Sequence, residues 1–211
     1  SAFVFALVMV MLFYALWKFK AKPGDESDGE PIHGNTRLEV AWTIIPTVIV
    51  LFGAGYSWAV LNDIEKKTDD RMTVDIFSQQ FAWSFGYPEQ GNVWSEGELH
   101  VPVDRQVEFK LHAQDVIHSF WVPEWRIKKD NVPGITTTAL VTPDRVGTYQ
   151  LICTELCGFG HSTMRATVVV EPPAEFRKWV AGLDLKVPAP LMESVEQDTE
   201  ADPIPVGAGG A

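Results

Sequence analysis

Two stretches of this chain carry no charge at all, Ser1–Trp17 and Val40–Leu61. An α-helix rises about 1.5 Å per residue, so about 20 consecutive apolar residues are needed to cross the hydrocarbon of a bilayer. The second run meets that length. The first begins at residue 1 and is slightly short, and its span is expected to start before that residue. A cleaved signal sequence is the rival reading of the first run, but Lys18-Phe19-Lys20 follows it where a small-residue cleavage site would stand. Two buried core helices are the plainer alternative, and the charged flanks of both runs argue against it. The expectation is a two-helix transmembrane hairpin over residues 1–61.

Orientation follows from the basic residues. Lys18, Lys20, Lys22 and Arg37 all fall between the two spans, which predicts a cytoplasmic loop and a periplasmic or extracellular C-terminal part. The chain belongs in the cell membrane on this reading, in contact with lipid. Its net charge is -11. Asp25, Glu26, Asp28, Glu30 and Glu39 outweigh the four basic residues of the hairpin by one, so the exported part carries -10. A negative exterior disfavours nucleic acid and attracts a basic partner. An acidic surface that is merely solvated is the plainer reading.

From Met72 the pattern changes. Val74 and Ile76 alternate with polar residues, as do Val107, Phe109 and Leu111, which is the period of a half-buried strand. Thr136–Val141, Thr148–Ile152 and Met164–Val170 are β-rich, and Pro, Gly and Asp punctuate the runs. Several short strands with turns between them predict a sandwich or Greek-key barrel over residues 62–171. Ala174–Leu183 is predicted as a short amphipathic helix with Phe176, Trp179 and Val180 on one face. Beyond Val187 the tail is rich in Pro, Gly, Ala and acids, and is expected to be disordered or held by a partner. Residues 172–211 thus form a helix and an acidic tail.

Both cysteines lie in one loop, Cys153-Thr-Glu-Leu-Cys157-Gly-Phe-Gly-His161-Ser-Thr-Met164. In an oxidising compartment the pair alone reads as a small disulfide. The neighbours change that balance. Thiolate, imidazole and thioether together form a soft donor set suited to copper, whereas a closed zinc shell has no use for methionine. A blue-copper site takes a further histidine from a distant strand, and His118 in Asp115-Val-Ile-His118-Ser-Phe-Trp-Val-Pro123 is the candidate. A second cysteine adds a thiolate able to bridge a second metal.

These motifs resemble those of the cytochrome c oxidase subunit II family. The resemblance rests on Cys-x-Glu-x-Cys-x3-His-x2-Met, on the upstream His118-Ser-x-x-Val-Pro, on Glu39-x-x-Trp42-Thr43-x-x-Pro46 and on Lys128-x-Asp130-x-x-Pro133-Gly134. It implies an all-β, cupredoxin-like Greek-key barrel on an N-terminal two-helix transmembrane hairpin. It also implies a dinuclear copper centre, CuA, bridged by Cys153 and Cys157. His118 and His161 would be terminal ligands, Met164 a weak axial ligand, and Glu155 a ligand through its backbone carbonyl. The Glu155 side chain would turn to a magnesium or manganese ion shared with subunit I. The implied partners are subunits I and III and cytochrome c or a cytochrome c domain. No haem attaches to this chain, which has no Cys-x-x-Cys-His.

Three further roles are expected, electron uptake and proton entry from the same resemblance and donor docking from position and charge. Where many members carry Gln-Trp-x-Trp, with the first tryptophan taking the incoming electron, this chain has Gln80-Phe81-Ala82-Trp83. Phe81 and Trp83 are therefore the candidates for electron uptake, with strand packing the plainer role for Trp83. Asp115, with Glu89, Glu96 and Glu98, is the candidate for donor docking. Glu39 matches the mouth of a proton channel into subunit I; the bland reading makes it an interfacial or helix-capping acid. His33, His100 and His112 are read as ordinary surface or core residues. Two related classes fit less well: quinol oxidase subunit II lacks the copper ligands, and nitrous-oxide reductase lacks the hairpin. A copper carrier has no need of the Glu39–Pro46 signature.

Overall fold

The computed structural model describes residues 1–186 except 22, 25, 26, 29, 30 and 32. The expected acidic tail from Val187 lies outside the described residues. The chain divides into two compact units, Ser1–Tyr56 and the part from Ser57 onward.

Helix α1 spans Ala2–Lys18 and α2 spans Thr36–Ile64. Neither helix buries a residue, and their exposed surface is Phe, Leu, Val, Ile and Trp on every side. A helix that is apolar all round and unburied belongs in lipid rather than water. With 29 residues, α2 is the one described helix long and apolar enough to cross a membrane; α1, at 17, is shorter. Asn35 starts α2. Its Oδ1 accepts the Leu38 N–H at 3.2 Å, and its own N–H donates to Glu39 Oε1 at 3.0 Å, so two otherwise orphaned donors are satisfied locally.

The second unit is a β-sandwich. Its strands are β1 (Met72–Gln79), β2 (Ala82–Tyr87), β3 (Val93–Glu96), β4 (Glu98–Pro102), β5 (Val107–Ala113), β6 (His118–Val122), β7 (Ile127–Asn131), β8 (Thr137–Val141), β9 (Gly147–Cys153) and β10 (Arg165–Glu171). One sheet runs β3-β2-β1-β5-β8 and the other β4-β10-β9-β6-β7. The pairs β1/β5 and β4/β10 are parallel; the other neighbours are antiparallel. The alternation read in the sequence is the inward face: Val74, Ile76, Val107, Phe109 and Leu111 are fully buried, against Leu99, Val101, Phe120, Leu151 and Val168 of the other sheet. Gly97, at φ +71°, turns the chain from β3 in one sheet to β4 in the other.

Helix α3 (Pro173–Ala181) leaves β10 directly and buries Phe176 and Val180. Its Trp179 stacks on His100 with ring centroids 3.7 Å apart. His100 Nδ1 also lies 2.9 Å from Glu171, and His112 Nε2 lies 3.3 Å from Asp75. Of the three histidines read as ordinary, His100 and His112 are thus packed polar residues with carboxylate partners.

Candidate metal centre

Three connections meet at one end of the sandwich: the β1–β2 turn at Gln80-Phe81, the β5–β6 loop Gln114–Ile117, and the β9–β10 loop Thr154–Met164. Strand ends fix the donors. Cys153 is the last residue of β9, His118 the first of β6, and Met164 immediately precedes β10. His161 opens a single 3₁₀ turn, His161–Thr163, which brings it back towards Cys157.

The donors converge. Cys153 Sγ lies 3.8 Å from Cys157 Sγ, 3.9 Å from His118 Nδ1 and 3.4 Å from the Glu155 carbonyl oxygen. Cys157 Sγ lies 3.7 Å from His161 Nδ1 and 3.8 Å from Met164 Sδ. His118, Cys153, Cys157 and Met164 are all buried. A disulfide has sulfurs about 2.05 Å apart, so these cysteines are free thiols. With metal–sulfur bonds of about 2.3 Å, two sulfurs on one ion stand no more than about 4.6 Å apart, and the observed spacing fits.

Charge and hydrogen bonding support the same use. Burial pushes the Cys157 thiol up to about 11, and the neighbouring Cys153 adds to it. That shift favours the protonated thiol, and the charge of a bound metal would favour the thiolate instead. His118 Nε2 donates to Asp115 Oδ1 at 2.8 Å, which leaves Nδ1 facing the sulfurs. That is the carboxylate–histidine pairing by which proteins orient a metal ligand. Burial alone would raise the Asp115 carboxyl. Hydrogen bonds from His118 and from the N–H groups of Gln80 and Val116 outweigh burial and hold it below the usual carboxylate range. The soft set of two thiols, two imidazoles and a thioether suits copper.

The other expected residues are distributed unevenly. Trp83 is buried, edge-on to His118 and Phe120 with centroids 6.3 Å away, so it packs under the centre. Phe81 is partly exposed above the ligand loop. Glu96 and Glu98 flank the Gly97 turn, which bonds to the backbones of Trp83 and Thr167, within a few residues of the loop. Glu89 is not with them. It accepts the Thr73 N–H at 3.0 Å, at the opposite end of β1. Glu39 caps α2, in the other unit. The sequence reading passed over Gln80, which bonds to both metal-site loops. The glycines at 158 and 160 were the available sign that another chain segment approaches there.

Residues 1–60 match the profile described as cytochrome C oxidase subunit II, transmembrane domain, and residues 93–172 match its periplasmic domain. Cytochrome c oxidase subunit 2 of Synechocystis sp. is 35% identical over 89% of this chain and 69% of its own length. Quinol oxidase subunit 2 of Bacillus spizizenii is 29% identical over 92% of this chain and 63% of its own. Among solved structures, the periplasmic domain of subunit II of cytochrome oxidase of Bradyrhizobium japonicum superposes with a TM-score of 0.53 at 27% identity. That likeness covers 56% of this chain and 95% of the other. The expected cupredoxin-like sandwich is therefore the fold found.

Proposed function

This chain belongs to the cytochrome c oxidase subunit II family, and on that premise we propose that it receives electrons from cytochrome c at a dinuclear copper centre. It passes them to haem in subunit I, where oxygen is reduced to water and protons are pumped. The observation that carries this reading is the complete donor set converging at one end of the barrel: Cys153, Cys157, His118, His161, Met164 and the Glu155 carbonyl. Bound copper would supply a one-electron couple shared between two metals.

The chain's own residues do the rest. Cys153, Cys157, His118, His161 and Met164 would hold the metal, and Asp115 holds His118 in the tautomer that leaves Nδ1 free. Strands β6 and β9 anchor His118 and Cys153 side by side: Phe120 and Cys153 are paired in register. Donors fixed in this way relax little between redox states. In the whole oxidase, the Glu155 side chain would meet a magnesium or manganese ion shared with subunit I, with subunit III completing the assembly. The helices hold the chain in the cell membrane with the barrel on the periplasmic side.

A relative that oxidises quinol makes that activity the competing reading. The converging soft donors support the cytochrome c reading, because a quinol oxidase subunit II has no use for them. Visible absorption and copper EPR of the purified protein test the proposal. A seven-line hyperfine pattern from an electron shared by two coppers is expected; a protein that takes up no copper refutes it.

A further inference from the structure

The β1–β2 turn lies across the ligand loop without contributing a donor to it. Gln80 makes two bonds there. Its backbone N–H donates to Asp115 Oδ2 at 2.7 Å, and its side-chain Nε2 donates to the Cys157 carbonyl at 2.5 Å. Asp115 in turn accepts from His118 Nε2 at 2.8 Å. One residue thus closes a chain from ligand Cys157, through Gln80 and Asp115, to ligand His118. It joins two loops that are distant in sequence, one holding Asp115 and the other Cys157.

The ligand loop is shaped to receive this turn. A Cβ on Gly158 would stand 2.7 Å from Gln80 Nε2 and 3.3 Å from the Phe81 ring; one on Gly160 would stand 2.5 Å from that ring. Gly158 also has φ +132°, a conformation side chains rarely adopt. Cys157-Gly-Phe-Gly-His161 is therefore bare on the side that Gln80 and Phe81 cover. Loops carry their own conformational entropy, which a ligand set must lose before it binds a metal in one geometry. A clamp formed in the metal-free protein removes that freedom in advance.

We propose that Gln80 is a positioning residue of the copper centre: with Phe81 as a lid on Gly158 and Gly160, it locks the Cys157–His161 loop to Asp115 and His118 before copper arrives. This gives Phe81 a task other than electron uptake. The proposal rests on the copper reading for its spectroscopic part only, because the clamp exists among the chain's own atoms.

The test uses the full chain in detergent, with and without copper. In the metal-free protein, amide exchange of residues 155–163 should quicken in Gln80→Ala, with the β-strand amides unchanged. In the copper-loaded protein, release of copper to a chelator should quicken by about 10–100-fold, the usual effect of losing an outer-shell partner. The copper hyperfine pattern should broaden. Gln80→Glu should behave like alanine, since a carboxylate cannot donate to the Cys157 carbonyl. Gly160→Ala should give the same effects through Phe81. Where Gln80→Ala weakens the barrel itself, Gln80→Met, of similar length but without the donor, is read in its place. Wild-type loop exchange and copper release in both the Gln80 variant and Gly160→Ala would overturn the clamp. A wild-type protein that binds no copper would refute the function proposed above, while the metal-free exchange would still decide the clamp.

Discussion

Cys157 sits among sulfur and imidazole, 3.8 Å from both Cys153 Sγ and Met164 Sδ and 3.7 Å from His161 Nδ1. Serine in its place has a hard oxygen that cannot bridge two coppers, so Cys157→Ser should abolish the shared-electron EPR signal. A normal spectrum in that variant would show that the thiol is not a ligand. Met164→Leu should be milder, because a thioether would be a weak donor to the metal: the copper EPR signal should persist with a shifted reduction potential, read by spectroelectrochemistry. Asp115 acts one bond further out. Asp115→Asn keeps the shape but weakens the acceptor for His118 Nε2, and copper affinity should fall by about 10–100-fold, measured by chelator competition. These roles differ in how far the sequence discloses them. The ligand types and their spacing are local, so twelve consecutive residues suffice to suggest the metal. The Asp115–His118 bond is local too, but Asp115 was read only as a docking charge, since sequence does not say which way a carboxylate turns.

The segment between α2 and β1 is bound to the barrel by several different groups. Gln106 accepts the Thr68 N–H at 2.8 Å and donates to the Lys66 carbonyl at 2.9 Å. The nearly buried Glu108 of β5 pairs with Lys67 and, at 2.7 Å, with Arg71. Burial raises the Glu108 carboxyl, yet hydrogen bonds and charge from Lys67 and Arg71 outweigh it and hold it below the usual carboxylate range. A carboxyl depressed by folding stabilises the fold above its unfolded pKa, and that stability is lost as pH falls through its lower folded value. Glu108→Gln should therefore cost about 1–2 kcal/mol near neutral pH, between an exposed ion pair and a charged buried hydrogen bond. The loss should shrink towards acid, as read by thermal melting of the β signal against pH. A deficit that stays constant as the pH falls below about 4 would show that the pairing is not its cause. Elements of this kind mark the boundary of what the sequence discloses. The alternation at Val74–Ile76 and Val107–Leu111 exposes β1 and β5 directly. Strand β7, Ile-Lys-Lys-Asp-Asn at a sheet edge, has only Asn131 buried and carries no apolar period. Strands β3 and β4 are short and meet at Gly97, so neither shows a pattern long enough to read. The Gln80 clamp joins segments that only the folded topology brings together.

At the scale of the molecule, charge and apolar surface are arranged around the copper end in a way that bears on the electron donor. The chain carries -11 overall. Leu156 and Phe159 of the ligand loop stand almost free of contacts, at 79% and 105% exposure. Apolar contact at the centre with acids around it suits a basic partner drawn in by long-range attraction and seated by short-range contact. The acids are not equivalent, however. Asp115 is engaged with His118, and Glu89 lies at the far end of β1, tied to the Thr73 N–H and near Arg105. Glu96 and Glu98, on the turn beside Trp83 and Thr167, are the pair expected to steer, Glu98 also lying 3.8 Å from His100 Nε2. Attraction across solvent is screened over about 10 Å at 0.1 M salt. With a soluble basic cytochrome c, electron uptake should therefore slow as ionic strength rises. Glu96→Gln with Glu98→Gln should slow it at low salt and flatten that dependence, leaving the copper spectrum untouched. Glu89→Gln should change neither. Stopped-flow reduction of the copper centre across a salt series measures all three. Uptake indifferent to salt in the wild type would remove electrostatic steering and leave the apolar contact to seat the donor alone. A salt dependence altered by Glu89→Gln but not by the Glu96 and Glu98 pair would place the docking face at the opposite end of the barrel.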